Sequence, residues 1–156
     1  MLGGLDVDIA SATARLVDAR GTGAAAERFQ QMVTALGGPV DLLTNPGAYL
    51  PVAPVTLRVD PLHNGYVQSV DTRSVGLTVV ALGGGRIRVE DSVDHAVGLT
   101  EVIGPGEYVD QERPLAIVHA RNDSEAKTAA DALRSACSIG DDRPALRPVV
   151  ASRITV

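Results

Sequence analysis

The sequence has no tryptophan, one phenylalanine, one cysteine and a single lysine, Lys127, among its 156 residues. With aromatics at 3%, a core must be assembled from Val, Leu, Ile and Ala. One cysteine, Cys137, excludes an intrachain disulfide and favours a reducing, cytoplasmic setting. No apolar run approaches the roughly 20 residues that cross a bilayer, so no membrane partner is expected. No charged start followed by an apolar stretch marks a signal peptide. The opening Met1-Leu2-Gly3-Gly4 is abrupt, as a cut end would be. A net charge of -5 gives no surface for polyanions, and no nucleic acid is expected as a partner.

What is present divides into two textures. Asp6 and Asp8 are candidate N-caps, since a short carboxylate accepts the free N–H groups of a first helical turn. Ile9, Ala12, Leu16 and Val17 follow near one helical face. Gly21-Thr22-Gly23 breaks that helix, and a second runs from about Ala24 to Leu36, with Phe29, Met32, Val33 and Leu36 as its apolar stripe. Gly37-Gly38-Pro39 stops it. Residues 39–54 hold Pro39, Pro46, Pro51 and Pro54 with little periodicity, and read as a linker.

Beyond the linker, Val55 to Val59 alternates like a strand, His63-Asn64-Gly65 signals a turn, and Tyr66 to Val70 is a second strand. Asp71 or Thr72 caps a helix carrying Val75, Val79 and Leu82 on one face, with Gly83-Gly84-Gly85 as its stop. Val97 to Ile103 predicts a strand, Gly104-Pro105-Gly106 a tight turn, and Leu115 to His119 a buried strand. Residues 124–139 predict a long Ala-rich helix capped by Asn122, Asp123 or Ser124, and residues 149–156 a final strand. Strands separated by turns and mixed with two helices make an α+β pattern, not regular βαβ alternation.

Motifs that carry chemistry are scarce. Gly83-Gly84-Gly85-Arg86-x-Arg88 resembles a phosphate loop on sight, but a phosphate cradle needs the N-terminus of a helix. These glycines follow a predicted helix, at its negative end, and the G-x-x-x-x-G-K-[ST] spacing is missing. The run therefore reads as a helix stop and a mobile loop. His63, His95 and His119 have no metal-ligand spacing, and His119 reads as a half-buried core residue. An Asp94–His95 pair is disfavoured because neighbours on a strand point to opposite faces. Cys137, placed within the last predicted helix, reads as an inert thiol. Glu90, Asp91, Asp94 and Glu101 read as solvated loop carboxylates, with nothing to fix a catalytic separation. No metal site and no catalytic residue is assigned.

Several stretches resemble the C-terminal third of the thymidine phosphorylases, a pyrimidine-nucleoside phosphorylase family. Residues 29–39 resemble the helix that closes the catalytic lobe. Val70-Asp71-Thr72-Arg73, with Val79-Val80-Ala81-Leu82-Gly83-Gly84-Gly85-Arg86, resembles the family's helix and glycine-rich loop. Asp94 to Thr100 and Arg113 to Ala120 follow in the family's order and spacing. The resemblance is firmest over residues 24–153.

That resemblance implies reversible phosphorolysis, in which phosphate, a co-substrate, attacks the sugar C1′ of a pyrimidine deoxynucleoside. No cofactor is implied. The family's Lys/Ser/Thr phosphate site, its His beside the pyrimidine and its Arg–Ser–Lys grip on the base lie upstream and match nothing here, so the chain alone is expected to be inactive. The implied fold is an α/β-hammerhead, related to the barrel-sandwich shape of biotinyl and lipoyl carriers, over residues 55–156. Residues 1–38 would be the helical tail of the catalytic lobe and residues 39–54 the linker. The implied partners are the missing catalytic lobe and, for the intact enzyme, a second copy in a homodimer. Gly83, Gly84, Gly85, Arg86 and Arg88 would form a loop that meets the other lobe as the cleft closes, with the glycines free to reshape it. A free-standing barrel-sandwich-like binding or scaffold module is the alternative. A carrier version needs a lysine at a hairpin tip, and Lys127 falls in a predicted helix.

Overall fold

Two local signals start the chain's helices. The Asp8 carboxylate accepts the Ser11 N–H at 2.7 Å and opens α1, Ile9–Gly21. Gly23, at φ +82°, turns the chain through the left-handed region into α2, Ala24–Ala35. The computed structural model describes residues 4–146 together with 148, 150, 152 and 154. They fall into two compact units, divided between Leu50 and Pro51.

In the first unit, Gln30 folds the following loop back onto α2. Its Nε2 donates to the Pro39 carbonyl at 2.7 Å, and its Oε1 accepts the Leu43 N–H at 3.2 Å. A 3-10 turn, Pro46–Ala48, interrupts the proline-rich stretch. Neither helix contributes a fully buried residue. Phe29, Met32 and Leu36 on the α2 stripe are 45%, 51% and 80% exposed.

The second unit contains β1 (Val55–Val59), β2 (Gly65–Val70), α3 (Thr72–Val79), β3 (Gly98–Thr100), β4 (Tyr108–Val109), β5 (Ala116–Ala120), α4 (Asp123–Ala136) and β6 (Cys137–Gly140). The strands form two antiparallel sheets, ordered β1-β5-β3 and β4-β2-β6. The α+β expectation holds. Asn122 caps α4 by accepting the Glu125 N–H at 2.9 Å. Ala126, Ala129, Ala130, Leu133 and Ala136 then recur at helical spacing on its buried face. This face packs on β1, β5 and α3. Val59, Val67, Val109, Leu115, Val118 and Leu133 are the largest fully buried side chains. Small alanines on α4 let the helix lie close to the sheet, which is how a core poor in aromatics still fills its volume.

Three sequence expectations need correction. The last predicted helix stops at Ala136, and Cys137 begins β6 instead of sitting mid-helix. Pairing of Val70 with Cys137 and of Tyr66 with Gly140 draws these residues into the sheet. The strand expected from Val97 to Ile103 shrinks to Gly98–Thr100, because Glu101 takes φ +53° and breaks the extended run. β5 is not continuously buried: Ala116, Val118 and Ala120 face inward, while Ile117 and His119 are only half-buried. The strand expected over 149–156 lies for the most part outside the described residues.

Gly65 shows where a side chain would break this arrangement. A Cβ there would stand 2.7 Å from the Gly140 carbonyl oxygen and 2.8 Å from Ile139 Cγ2, so only glycine lets β2 and β6 approach.

Candidate functional site

The glycine loop grows out of α3. Asp71 opens that helix: its Oδ1 accepts the N–H groups of Arg73 at 3.1 Å and Ser74 at 3.2 Å, and its Oδ2 accepts the Ser74 hydroxyl at 2.6 Å. The Ser74 hydroxyl, then the Ser74 and Arg73 amides, hold the Asp71 carboxyl below its ordinary value of 3.8. A carboxylate so depressed favours the folded helix above its unfolded pKa, and the contribution is lost as pH falls through the lower folded value. Fraying of α3 is therefore expected in acid below pH 3.8. Comparing amide exchange in residues 72–79 for wild type and Asp71→Asn, from about pH 5 to about pH 2, checks it. The amide variant can still cap but has no such titration, so equal pH dependence in both would remove Asp71 as the cause.

At its far end α3 widens into a π turn, Val80–Gly84. Gly83 closes it at φ +97°, a conformation that disfavours any side chain. A Cβ on Gly84 would lie 3.0 Å from Val79 Cγ1 and 3.3 Å from the Val97 carbonyl oxygen, and one on Gly85 would lie 2.7 Å from Val80 Cγ2. Gly84 and Gly85 therefore permit close packing.

The Leu82 and Gly83 carbonyls, the acceptors left at the helix end, are both taken. Arg121 Nη2 donates to Leu82 O at 2.9 Å, and the Asp94 N–H donates to Gly83 O at 2.9 Å. The glycines sit at the carbonyl end of a helix, the wrong polarity for cradling a phosphate.

Arg86 and Arg88 stand on the exposed tip, residues 86–90, with Ile87 and Val89 81% and 90% exposed. The Asp91 carboxylate organises the tip, accepting the Ile87 N–H at 3.0 Å and the Arg88 N–H at 2.8 Å. The structure thus puts the five loop residues singled out in the sequence on one projection, glycines at the base and arginines at the tip. Sequence reasoning missed Arg121, and it read Asp91 and Asp94 as solvated carboxylates, whereas both take part in the loop's hydrogen bonds. The one available signal was the i,i+4 pairing of Arg121 with Glu125 at the start of a predicted helix.

The histidines are dispersed. His119 Nε2 and Thr100 Oγ1 are 2.8 Å apart across the β3–β5 pair, while His63 and His95 are exposed. The Asp94 carboxylate accepts the Ala96 N–H at 3.0 Å. Partial burial pushes the Cys137 thiol up, which suppresses its thiolate. Lys127 is exposed on α4, not at a hairpin tip. Among the described residues, no three His, Cys, Asp or Glu side chains converge as a metal site.

A hollow of 180 Å³ between α3 and α4 is smaller than the roughly 300 Å³ usual for a small-molecule site. A larger one of 620 Å³ beside Gln68 and Pro105 has no ionisable side chain in its lining.

Residues 66–140 match the family model for the pyrimidine nucleoside phosphorylase C-terminal domain. These residues are therefore similar to the C-terminal domain of that family. Its sequence is 48% identical to the thymidine phosphorylase of Burkholderia lata over 139 residues, covering 89% of this chain and 32% of that enzyme. The thymidine phosphorylases of Burkholderia orbicola and Burkholderia cenocepacia are each 49% identical over the same shares. The chain thus spans about a third of the length of these relatives. The matched domain runs from β2 to β6 and contains the whole glycine loop.

Proposed function

We propose that this chain supplies the C-terminal domain of a thymidine phosphorylase, the enzyme that converts thymidine and phosphate to thymine and 2-deoxyribose 1-phosphate. The domain forms one wall of a substrate cleft and contributes no reacting group. The observation that carries this is a domain similar to that family's, whose exposed loop is preshaped and carries alternating Arg and apolar side chains at its tip. Ile87 and Val89 in water are unusual for a loop tip and suit a surface that is covered when two lobes meet. Arg86 and Arg88 can pair with acceptors across that contact. Closure excludes water and fixes the reacting groups, which are held by the other lobe.

The two sheets and two helices of the second unit suit an α/β-hammerhead related to barrel-sandwich carriers. The exposed α2 stripe suits a helix that belongs to the catalytic lobe of the same polypeptide. The setting is cytoplasmic and the intact enzyme a homodimer. No described helix is long and apolar enough to cross a membrane.

Two assays test the reading. The chain alone is expected to release no thymine from thymidine with phosphate. Grafted in place of the matching third of the Burkholderia lata enzyme, it is expected to support phosphorolysis within about tenfold of the parent. Turnover by the isolated chain, or a well-folded graft with none, would remove the proposal.

A further inference from the structure

The loop between Gly84 and Val93 leaves the domain and returns to the same point. Its two ends are joined by the bond from the Asp94 N–H to Gly83 O at 2.9 Å. One side chain from elsewhere closes the base. Arg121, on the short link between β5 and α4, reaches back across 39 residues of sequence to the Leu82 carbonyl at 2.9 Å. Glu125, in the first turn of α4, holds the same guanidinium through Arg121 Nε at 3.1 Å. The guanidinium lies over Gly83, where a Cβ would stand 2.9 Å from Nη2. Three features therefore converge on one spot: the positive-φ glycine, the free carbonyl of the π turn and a charged donor aimed by a carboxylate.

We infer that Arg121 is a positioning residue, a latch that holds the 84–93 loop as a preformed projection. Its arginine fork has the geometry for this, since one edge reaches the carbonyl while Nε is held by Glu125. A charge-assisted bond to a helix-end carbonyl is stronger than a neutral one and is favoured by the helix dipole. An exposed Arg–Glu pair contributes little alone, so the role of Glu125 is to aim the donor. Asp91 completes the design within the tip by taking the Ile87 and Arg88 amides. A loop ordered before contact does not have to be ordered during it, which strengthens and speeds docking. The latch stands on the geometry of this chain. Its consequence for turnover rests on the proposed cleft-closing role, and there the loop swings with its domain as a body, without refolding on contact.

Hydrogen–deuterium exchange of the full 156-residue chain, resolved by peptide, tests the latch. Arg121→Met is expected to speed exchange across residues 84–94 at least about tenfold, with β1 and β5 unchanged. Glu125→Gln is expected to give a smaller increase. Arg121→Lys, which keeps a charged donor for Leu82 O, is expected to recover most of the protection. Loop amides that exchange equally in wild type and Arg121→Met would overturn the inference. So would an increase spread over β1 and β5 as much as the loop, or a lysine variant no better than methionine. Because the measurement needs no catalysis, a failed latch leaves the functional reading standing, and an inactive graft leaves the latch standing.

Discussion

Leu133→Ala is expected to destabilise the second unit by about 3 kcal/mol, the middle of the range for emptying a buried leucine site. Leu133 is 1% exposed and projects from the face of α4 that packs on β1, β5 and α3. Its neighbours along that face are Ala126, Ala129, Ala130 and Ala136, too small to swing into the space it would vacate. The loss is thus both the transfer free energy of the missing methyls and the residual cavity. For a unit of this size each kcal/mol shifts the melting temperature by roughly 4–8 °C, so a drop of roughly 12–24 °C is expected. Leu133→Met conserves volume and should cost less than about 1.5 kcal/mol. Lys127→Ala, on the exposed face of the same helix, should stay within about 0.5 kcal/mol. Thermal unfolding followed by circular dichroism separates the three. A leucine-to-alanine shift no larger than the lysine control would mean that α4 is not seated as described.

The second large effect is kinetic. In the Burkholderia lata graft, Gly84→Val is expected to lower kcat/KM for thymidine phosphorolysis about 100-fold, with the domain still folded. The Cβ alone meets Val79 Cγ1 at 3.0 Å and the backbone oxygens of Val79 and Val97 at 3.3 Å. Backbone cannot swing aside as a side chain can, so two added methyls must push the loop base outward. A displacement of about 1 Å in a group that completes a closed site can cost about 100-fold in rate. Arg86→Ala removes one charge from the tip without moving the base, and about a tenfold loss is expected. Steady-state kinetics on both grafts, with melting temperatures as a folding control, decide the matter. Unchanged kinetics in both would take cleft closure away from this loop.

The parts of the fold that were legible in the sequence are those set by local chemistry. Asp8 and Asp71 cap helices through side chains three or fewer residues from the amides they accept, and glycines end α1 and turn α3. Alternation marked β1, and the His63-Asn64-Gly65 turn signal marked the start of β2. What escaped was set by distant partners. No glycine or proline separates Ala136 from Cys137, so the helical pattern runs on. Only the pairing of Val70 with Cys137 makes those residues a strand. β4 is two residues long and exists because Tyr66 pairs with Tyr108, their rings 5.1 Å apart edge to face. In the loop, the location of the glycines at a helix end was legible. Their reasons were legible only in part, since Gly84 is crowded by the Val97 carbonyl as well as by nearby Val79, and Gly83 is covered by Arg121, far away in sequence.

The pairing of β2 with β6 also governs the order in which the domain can be made. Residues 65–70 emerge from a ribosome long before residues 137–140. At the usual pace of synthesis the interval is of the order of several seconds. Throughout it, one edge of β2 has no strand to bond. Nascent chains at this stage are therefore the ones that chaperones and neighbouring nascent strands should find most adhesive. Any shortened version ending before Cys137 would carry that exposed edge permanently.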